Sequence, residues 1–505
     1  MASTTHSVQL FGGSAIVLDI ECHLSSGLPT ITVVGMTNKS VDESKERIRA
    51  AFSSSKLAFP KKKITINLAP ADLQKLGASF DLAIAVAILQ AMEATKSDVS
   101  TTVLFGELGL DGTIRPVRGI VGKLLSARDK GYKHAFVPTA NLEQALLVPH
   151  IHVTALGTLL DVYHHLSGAQ PTRTISTEDG MYQHSTEQTQ EAPDIADVVG
   201  QERAKRALTV AAAGGHNIMF SGPPGMGKSM LAKTLPGILP KLTHEEALHI
   251  THLQSLGAED PSKTVYTRPF RAPHHSASNV SLVGGGQNPR PGEITLAHGG
   301  VLFLDELPEF GRSSIEALRQ PLEDGVIRVA RAKETICYPA QFMLVATRNP
   351  CPCGYFGSQK ECTCTASQIA AYNKKISGPI QDRIDVHITV DSVEHKDLLK
   401  THTHIQSPFV QAQVEKARHT QALRYGSHTH TNATASSESL KQHAQLTNEA
   451  TNLLNMAAER MQLSPRVYMK TIKLARTIAD LEESPTIEVN HVSEALQYRP
   501  VSLVF

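Results

Sequence analysis

The stretch Gly222-Pro223-Pro224-Gly225-Met226-Gly227-Lys228-Ser229 decides how the middle of this chain folds. It follows a short apolar run, residues 217–221, and precedes a helix-like segment that begins at Met230. This is the G-x-x-x-x-G-K-S pattern in the strand–loop–helix setting of a phosphate-binding loop. The glycines allow backbone N–H groups to turn inward around an anion, and the helix N-terminus adds partial positive charge.

The residues from Gly222 to Met230 are therefore the predicted binding site for a nucleoside triphosphate, with ATP as the expected ligand. Lys228 is expected to reach the β- and γ-phosphates, and the Ser229 hydroxyl to ligate Mg²⁺. A glycine-rich turn without a nucleotide is the alternative, which the complete eight-residue pattern and its flanks disfavour.

The composition is that of a globular protein. A chain of 505 residues is long enough for about three domains, and 41% of its residues are hydrophobic while 19% are charged. The net charge of +1 gives no overall attraction to nucleic acids or membranes. Only six cysteines occur, which argues against a secreted disulfide framework. Because neither a signal-peptide pattern nor a membrane-length apolar run is found, we expect a cytoplasmic protein.

Residues 1–168 are predicted to form an α+β domain. Short apolar runs between residues 7 and 35 predict strands, and the Ala-, Ile- and Leu-rich segment 81–92 predicts a buried helix. Residues 169–193 are rich in Thr, Gln, Ser and Glu and poor in apolar residues. Such a composition cannot offset the entropy lost on ordering, so it predicts a flexible linker.

A second domain is predicted over residues 194–393, and its most informative strand ends in two acids. The run Val301-Leu302-Phe303-Leu304 is followed by Asp305 and Glu306, as in a buried central strand with carboxylates at its C-terminal end. Asp305 is expected to hold Mg²⁺ through water, and Glu306 to orient and polarise the attacking water. An apolar run ending in acids is a weak signal alone, but its place after a phosphate loop makes it strong.

Another strand is predicted at residues 342–346, shortly before Asn349. From the end of that strand, Asn349 could hydrogen-bond the γ-phosphate or the attacking water. The alternative is an ordinary turn residue before Pro350.

The segment Ser377-Gly378-Pro379-Ile380-Gln381-Asp382-Arg383-Ile384-Asp385 precedes a further strand-like run. It resembles the segment that carries the arginine finger in AAA+ ATPases of the magnesium-chelatase and replicative-helicase branch. The resemblance implies that Arg383 acts on a neighbouring subunit's γ-phosphate, where a guanidinium stabilises spreading charge. The alternative is that Arg383 only pairs with Asp382 or Asp385.

Longer stretches extend the resemblance over nearly the whole chain. They are Arg268-Pro269-Phe270-Arg271-Ala272-Pro273-His274-His275, Pro291-Gly292-Glu293-Ile294-Thr295-Leu296-Ala297-His298 and Asn349-Pro350-Cys351-Pro352-Cys353-Gly354. They are similar to the ComM/YifB family of magnesium-chelatase-like AAA+ ATPases. The resemblance implies an α/β fold in which a P-loop parallel sheet is flanked by helices, with two insertions. It also implies a homo-hexameric ring that hydrolyses ATP, unwinds DNA and promotes branch migration in natural transformation.

The first domain resembles the Lon-protease-like domain at the front of some of these ATPases. The resemblance is carried by Lys75-Leu76-Gly77-Ala78-Ser79-Phe80-Asp81-Leu82 and Arg115-Pro116-Val117-Arg118-Gly119-Ile120-Val121-Gly122-Lys123-Leu124-Leu125. It places Ser79 at the protease nucleophile but Val121 at the lysine that serves as its base. We therefore expect an inactive domain. The alternative is a Ser79–Lys123 dyad, but Lys123 lies two residues after Val121 and would point about 200° away from it on a helix.

Two predicted insertions, residues 268–290 and a hairpin at 326–338, carry basic residues. By the resemblance both would project into the pore of a ring and follow a DNA backbone, with Gly284-Gly285-Gly286 as a mobile tip. The alternative is that their charges are simply solvated. The candidate DNA-contacting residues are Arg268, Arg271, Arg290, Arg328, Arg331 and Lys333.

Four cysteines lie close together as two C-x-C pairs: Cys351, Cys353, Cys362 and Cys364. Four thiolates can hold zinc in a tetrahedron, although paired zinc ligands are more often separated by two to four residues. Free thiols or a redox pair are the alternative. We favour a structural zinc site.

Residues 394–505 are predicted to form a helical lid domain, in which Ser464-Pro465-Arg466 opens a helix through a cap followed by proline. Arg466, Lys470, Lys473 and Arg476 recur at helical spacing and predict a basic, solvated face. The resemblance implies that Arg466 is a second sensor, an arginine that reaches the γ-phosphate.

The sequence thus predicts an ATP-driven ring motor on DNA. Two other classes stay open: a chelatase subunit that drives metal insertion into a tetrapyrrole, and an ATP-dependent protease or chaperone. The first domain and the cysteines disfavour the former, and Val121 disfavours the latter. The predicted catalytic residues are Lys228, Asp305, Glu306, Asn349, Arg383 and Arg466.

Overall fold

The computed structural model describes residues 2–11, 14–35, 39–71, 75, 77–95, 97–178, 192–257, 260–285, 290–330, 335–391 and 406–500. Its strands, in chain order, are β1 (Ala2–Phe11), β2 (Ser14–Ser25), β3 (Ile31–Val34), β4 (Lys63–Ala69), β5 (Thr102–Leu104), β6 (Glu107–Leu108), β7 (Ile114–Arg115), β8 (His134–Pro138), β9 (Ile151–Leu156), β10 (Thr174–Thr177), β11 (Ile218–Ser221), β12 (Phe270–Arg271), β13 (Gly284–Gly285), β14 (Arg290–Pro291), β15 (Val301–Leu304), β16 (Val326–Ala330), β17 (Thr335–Pro339), β18 (Met343–Arg348) and β19 (Val386–Thr389).

The α-helices are α1 (Lys39–Ser54), α2 (Asp81–Ala91), α3 (Ile120–Asp129), α4 (Leu142–Leu146), α5 (Leu159–Ser167), α6 (Glu202–Gly214), α7 (Lys228–Ile238), α8 (His244–Leu256), α9 (Asn279–Val283), α10 (Glu293–Leu296), α11 (Arg312–Ala317), α12 (Arg319–Asp324), α13 (Ala366–Asn373), α14 (Gly378–Gln381), α15 (Ser407–Tyr425), α16 (Ser437–His443), α17 (Asn448–Arg460), α18 (Pro465–Leu481) and α19 (Val489–Gln497). Short 3₁₀ helices cover Thr139–Asn141, Ile195–Asp197 and Leu307–Glu309.

The chain divides into two compact units. The first comprises Met1–Ser185, Thr243–Tyr266 and Ala330–Cys337, and the second comprises Thr186–Leu242, Thr267–Val329 and Tyr338–Phe505. The first unit thus includes α8, although the sequence of this helix lies within residues 194–393, the predicted core domain.

The first unit is built on an eight-stranded mixed sheet with the order β10-β9-β8-β5-β1-β2-β4-β3. The predicted buried helix 81–92 is confirmed as α2, whose sequence is almost entirely apolar because nearly all of its residues are buried. β10 falls within the segment 169–193, where a flexible linker is predicted, and pairs antiparallel with β9. That part of the segment therefore belongs to the first sheet, and residues 179–191 lie outside the described residues.

Helix α8 packs on α3 within the first unit. Leu248 joins the apolar core there, and Gly122 leaves room for the His252 ring, because a Cβ on Gly122 would lie 2.4 Å from its Cε1 atom. The Arg118 guanidinium also donates to the carbonyl of Gly257. This helix is not predicted from the sequence.

The second unit contains a five-stranded sheet with the order β12-β15-β18-β11-β19. Every neighbouring pair in it is parallel. β15 has four buried apolar residues because helices cover both faces of a parallel sheet. The predicted α/β class is confirmed. Because parallel strands end at one edge, the residues that follow β11, β15 and β18 come together.

Helices α15 to α19 form the C-terminal part of the second unit. The predicted opening of α18 is confirmed: Ser464 caps the helix by accepting from the Val467 N–H, and Pro465 follows it. The predicted solvated face of α18 is wrong for Arg476, which is 1% exposed. Its guanidinium donates to Asp480 and to two backbone carbonyls, because those acceptors replace the water that burial removes.

Candidate functional site

The phosphate loop joins β11 to α7 with the backbone that the sequence predicts. Gly225 and Gly227 have φ values of 79° and 80°, in the left-handed region that favours glycine. Among the residues that the structure describes, no atom outside the adjacent ones lies within 4 Å of the positions where their Cβ atoms would be, so the loop has open space on that side. A Cβ on Gly222 would instead lie 2.4 Å from the Val390 carbonyl oxygen. The loop therefore has the shape of an anion-binding nest.

Lys228 begins α7 and is 7% exposed. Its Nζ atom donates to the Pro223 carbonyl at 2.7 Å and to Asn349 Oδ1 at 3.0 Å, as well as to the Gly222 carbonyl. Burial lowers the pKa of Lys228, and the carboxylates of the acidic residues after β15 oppose that shift. The ammonium group is thus held at the loop, beside the position that phosphate oxygens would occupy.

Ser229 and Asp305 provide the oxygen atoms for the predicted Mg²⁺ site. Ser229 Oγ donates to Asp305 Oδ2 at 3.0 Å. Neighbouring ligands of octahedral Mg²⁺, with bonds of about 2.1 Å, lie about 3.0 Å apart, so the pair fits this ion. Thr347 Oγ1 donates to Asp305 Oδ1 at 2.6 Å and accepts from the Glu306 N–H at 2.8 Å. Thr347 is not among the residues predicted for the site, and its contact with Asp305 follows from the pairing of β15 with β18.

Glu306 lies next to Asn349 at the edge of the sheet. Asn349 Nδ2 donates to Glu306 Oε1 at 3.2 Å. Glu306 has φ 53° and ψ 54°, a left-handed conformation that is uncommon for a residue other than glycine. Strained backbone of this kind is found preferentially at functional sites. Glu306 and Asn349 also line a cavity of about 520 Å³, which is large enough for an attacking water.

Arg383 is 6% exposed in the single chain. Its guanidinium pairs with Glu323 on α12 and donates to the Pro379 carbonyl at 2.6 Å. Its Nε atom has no hydrogen-bond partner among the described residues. In the structure Arg383 thus pairs with Glu323, and not with Asp382 or Asp385, the two partners considered as the alternative to an arginine finger.

Arg466 lies on the first turn of α18, and its side chain is 47% exposed. Its Nη1 atom is 4.0 Å from Asp382 Oδ2, so it lies close to the segment that carries Arg383. One turn further along α18, Lys470 Nζ lies 3.2 Å from Asp385 Oδ1. Lys470 therefore forms an ion pair within the protein and is not part of a solvated face.

Asp385 is the centre of a buried charged group. Its Oδ2 atom lies 3.4 Å from His216 Nδ1, and its other oxygen faces Lys470. Although burial acts in the opposite direction, His216 and Lys470 hold the pKa of Asp385 well below its usual range. Asp385 thus anchors β19 and α18 to each other.

The four cysteines Cys351, Cys353, Cys362 and Cys364 come together, with all sulfur atoms within 4.8 Å of one another. The distances between the Sγ atoms are 3.3 Å for Cys351–Cys353, 3.6 Å for Cys351–Cys362 and 3.5 Å for Cys353–Cys362. A tetrahedron with zinc–sulfur bonds of about 2.3 Å has edges of about 3.8 Å, which is close to these distances. The cluster is a possible metal site.

The candidate DNA-contacting residues fall into two groups. Arg268 donates to the carbonyls of Pro240 and Gly299 at 2.7 and 2.8 Å, and Arg271 forms a two-pronged pair with Glu293 at 2.7 and 2.9 Å. Both guanidinium groups are thus engaged within the protein.

Arg290 and Arg328, by contrast, are exposed, on β14 and β16. The hairpin predicted at 326–338 is confirmed as β16 and β17. Gly284 and Gly285, in the predicted mobile tip, form β13. Arg331 and Lys333, like Gly286, lie outside the described residues.

In the first unit, Val121 is fully buried in the apolar core. Lys123 is 6% exposed, and its Nζ atom lies 5.8 Å from the centre of the Phe105 ring. Burial lowers the pKa of Lys123 to about 8. Among the described residues, no hydrogen bond joins Lys123 to Ser79.

A parallel sheet that brings together Lys228, Asp305, Glu306 and Asn349 has the P-loop architecture of the AAA+ class. Family comparison agrees. Residues 194–398 match the family described as magnesium chelatase, subunit ChlI, residues 20–141 match subunit ChlI of Mg-chelatase, and residues 404–499 match the C-terminal part of that subunit.

The relatives define the family more closely. The chain is 41% identical over 493 residues to the competence protein ComM of Haemophilus influenzae, covering 97% of this chain and 95% of that protein. It is 40% identical over 509 residues to the uncharacterized protein YifB of Escherichia coli, covering 99% and 97%. A magnesium-chelatase 67 kDa subunit of Chlorobaculum parvum is 30% identical over 162 residues, covering 31% and 23%. The chain belongs to the ComM/YifB family of magnesium-chelatase-like AAA+ proteins.

Within the described ranges, every helix is too short or too polar to cross a bilayer.

Proposed function

We propose that this protein is an ATP-hydrolysing motor that assembles as a hexameric ring on DNA and promotes branch migration in the cytoplasm. The observation that carries the proposal is the link from Lys228 through Asn349 to Glu306. It joins the group expected to hold the phosphates to the group expected to activate water.

The metal pair fits the same reaction. Ser229 and Asp305 would hold Mg²⁺, directly or through water, and Thr347 fixes the orientation of the Asp305 carboxylate. When bound, Mg²⁺ would neutralise charge on the β- and γ-phosphates. Arg466, half exposed on α18, would approach the γ-phosphate as a second sensor.

A ring is supported by Arg383, whose guanidinium pairs with Glu323 and donates to the Pro379 carbonyl in the single chain. Its position after β18 and before β19 is the one that the resemblance gives to the arginine finger, and its Nε atom has no hydrogen-bond partner within the part of the chain that the structure describes. In the ring, Arg383 would leave Glu323 and contact the γ-phosphate held by the neighbouring subunit.

DNA as the partner is supported by the relative named as a competence protein and by two exposed arginines, Arg290 and Arg328. Guanidinium groups on exposed strands can follow a phosphate backbone without reading its sequence. Arg331 and Lys333, which lie outside the described residues, stay DNA contacts predicted from the sequence.

We also propose that the cysteine cluster binds zinc, and that the first unit is not a protease. The sulfur–sulfur distances suit a tetrahedral ion, and Val121 cannot serve as a base for Ser79. Casein degradation that is lost in Ser79→Ala would contradict the second proposal.

The central test is ATP turnover measured without DNA, with single-stranded DNA, with a four-way junction and with a porphyrin plus Mg²⁺. We expect the junction to stimulate turnover and to be converted to duplex products, and Lys228→Ala to abolish both. Sedimentation with a non-hydrolysable ATP analogue should show six chains. Stimulation by porphyrin but not by DNA would instead support a chelatase subunit, a function that the Chlorobaculum similarity keeps open.

A further inference from the structure

The cysteine cluster is connected at both of its ends to the cavity in front of Glu306. The first cysteine, Cys351, follows Asn349 by two residues. The last, Cys364, directly precedes Thr365, which caps α13 by accepting a hydrogen bond from the Gln368 N–H. The segment between the two pairs of thiols therefore begins at one functional residue and ends at a helix.

That helix forms a wall of the same cavity. The cavity has a volume of about 520 Å³, and its lining comes from three places: the end of β15, the start of the cysteine segment, and α13 with the residues after it. The lining residues are Glu306, Glu309, Asn349, Pro352, Gln368, Ala371, Tyr372 and Lys375. Residues at both ends of the cysteine segment thus line the same cavity.

Direct contacts join the cluster to the nucleotide site. Gly354 has φ 87°, and a Cβ there would lie 2.8 Å from Pro224 Cδ, so the cysteine segment packs against the phosphate loop. The Gly354 N–H donates to the Cys351 carbonyl at 3.0 Å, which closes the turn between the first two thiols. Tyr372 of α13 lines the cavity together with Asn349.

We propose that a tetrahedral metal–thiolate centre at these four cysteines, with zinc as the expected ion, positions Asn349 and α13 for ATP hydrolysis. A metal bound to both pairs of thiols fixes one end of the segment relative to the other. It therefore fixes the Asn349 amide relative to Glu306 and the α13 wall. The cysteines are positioning residues in this role, and the inference rests on the proposed ATPase function.

The reason is geometric. Asn349 touches Lys228 and Glu306 through single hydrogen bonds of 3.0 and 3.2 Å, which by themselves tolerate displacement. Cys351 is fully buried two residues away, and its Sγ atom accepts from the Phe356 N–H at 3.3 Å. Four metal–sulfur bonds would hold the Cys351 segment in place far more firmly than these hydrogen bonds do. Without them, Asn349 and α13 can separate.

The test compares wild-type protein with Cys362→Ser/Cys364→Ser and with Cys337→Ser. Cys337 is an exposed cysteine on β17, outside the cluster, so Cys337→Ser is the matched control. Metal analysis should find about one zinc per chain in the wild type and the control, and much less in the double variant. The kcat for ATP should fall about ten- to a hundredfold in the double variant. The Kd of a fluorescent ATP analogue should change less than about threefold.

Because loss of the thiols can impair folding, the wild-type protein provides a second measurement. Zinc is removed with a chelator and replaced by Co²⁺, whose absorption reports tetrahedral thiolate ligands. Turnover should fall on removal and return on loading. In addition, zinc removal should cause a smaller loss in Asn349→Ala than in the wild type, since the Asn349 amide is already absent and only the position of α13 can still change.

Three results would overturn the inference while leaving the ATPase proposal intact. They are zinc well below one per chain in active protein, unchanged turnover after zinc removal, and fully additive losses in Asn349→Ala. A wild-type protein that binds no ATP would overturn both.

Discussion

The Lys228 ammonium donates a hydrogen bond to the Asn349 side-chain oxygen at 3.0 Å. The amide nitrogen of Asn349 in turn donates to Glu306 at 3.2 Å. An ammonium can only donate and a carboxylate can only accept, so these neighbours fix the orientation of the amide. One uncharged side chain thus links the group expected to hold phosphate to the group expected to activate water, and movement of Lys228 toward a bound phosphate would alter both contacts.

The first prediction concerns Asn349→Ala. The change removes both hydrogen bonds and leaves Lys228 and Glu306 without their link, so we expect kcat for ATP to fall roughly a hundredfold. ATP affinity should change much less, because the loop backbone and Ser229 are untouched. Steady-state kinetics with a direct binding measurement separate the two effects, and an equal loss of kcat and affinity would show that Asn349 serves mainly to bind ATP.

The second prediction concerns Glu306→Gln. Glutamine keeps the size of the side chain and can still contact Asn349, but it cannot polarise water as a carboxylate does. We expect turnover to fall about a hundred- to a thousandfold while ATP binding is retained. Glu309→Gln, at another glutamate that lines the same cavity, is the matched control and should turn over ATP at a rate within a fewfold of the wild type. Equal losses in both variants would remove the proposed role of Glu306.

The third prediction separates two roles for Arg383, which pairs with Glu323 in the single chain. If Arg383 serves a neighbouring subunit, Arg383→Ala should abolish most ATP turnover, whereas Glu323→Ala should free the guanidinium and preserve turnover. If the pair is only structural, both variants should lose stability and activity together, because each leaves a charge without its partner.

Mixing the variants gives a direct check of the third prediction. Arg383→Ala supplies an intact Glu306, and Glu306→Gln supplies an intact Arg383, so a mixed ring contains complete sites at some interfaces. Turnover in the mixture that exceeds the sum of the separate preparations is the expected result. No gain in the mixture would place Arg383 and Glu306 in the same chain's site, or outside it.

The nucleotide site could be predicted from the sequence because its residues follow strands directly. In a parallel sheet, neighbouring strands end at the same edge, so the positions of Lys228, Asp305 and Asn349 in the sequence are enough to bring them together. Thr347 was missed because a threonine at a strand end carries no signal of its own until the register of β15 and β18 is known.

Other features depend on contacts that no local pattern encodes. The pairing of Arg383 with Glu323 joins residues 60 positions apart, and Arg476 is buried because Asp480 and nearby carbonyls accept its hydrogen bonds. A basic stripe at helical spacing is more often solvated, so periodicity alone favours the wrong environment here. Helix α8 was not predicted, and which unit it packs against depends on tertiary contacts such as that of Gly122 with His252.

The fourth prediction concerns the buried Lys123 and its dependence on pH. Burial lowers its pKa from 10.5 to about 8, so below pH 8 the folded state bears the cost of a buried charge. Lys123→Met should therefore increase the free energy of unfolding at pH 7 by about 1–3 kcal/mol. Between pH 8 and 10.5 the folded wild type loses this proton before the unfolded chain does, so wild-type stability rises and the difference should shrink.

Urea unfolding at several pH values measures this difference. Lys133→Met, at an exposed lysine of the same unit, is the control and should show little change at any pH. A gain in Lys123→Met that stays constant from pH 7 to 10.5 would mean that packing, and not the buried charge, is responsible.

The fifth prediction concerns the proposed DNA surface. Arg290 and Arg328 are exposed, whereas Arg268 and Arg271 are held by internal acceptors, so only the first two are free to contact phosphates. Each phosphate contact contributes about 0.7–0.9 to the slope of log K against log salt. Arg290→Ala/Arg328→Ala should therefore weaken DNA binding and flatten that slope by about 1–2, equally for different sequences.

Arg460→Ala, at an exposed arginine on α17, is the matched control for the DNA prediction. Its salt dependence should equal that of the wild type, since a general loss of positive charge acts weakly across more than a Debye length of about 10 Å at 0.1 M salt. A salt slope that falls equally in the control would show that net charge alone governs binding. An unchanged slope in Arg290→Ala/Arg328→Ala would place the DNA on another surface, because the contribution of a phosphate contact cannot persist after its cation is removed.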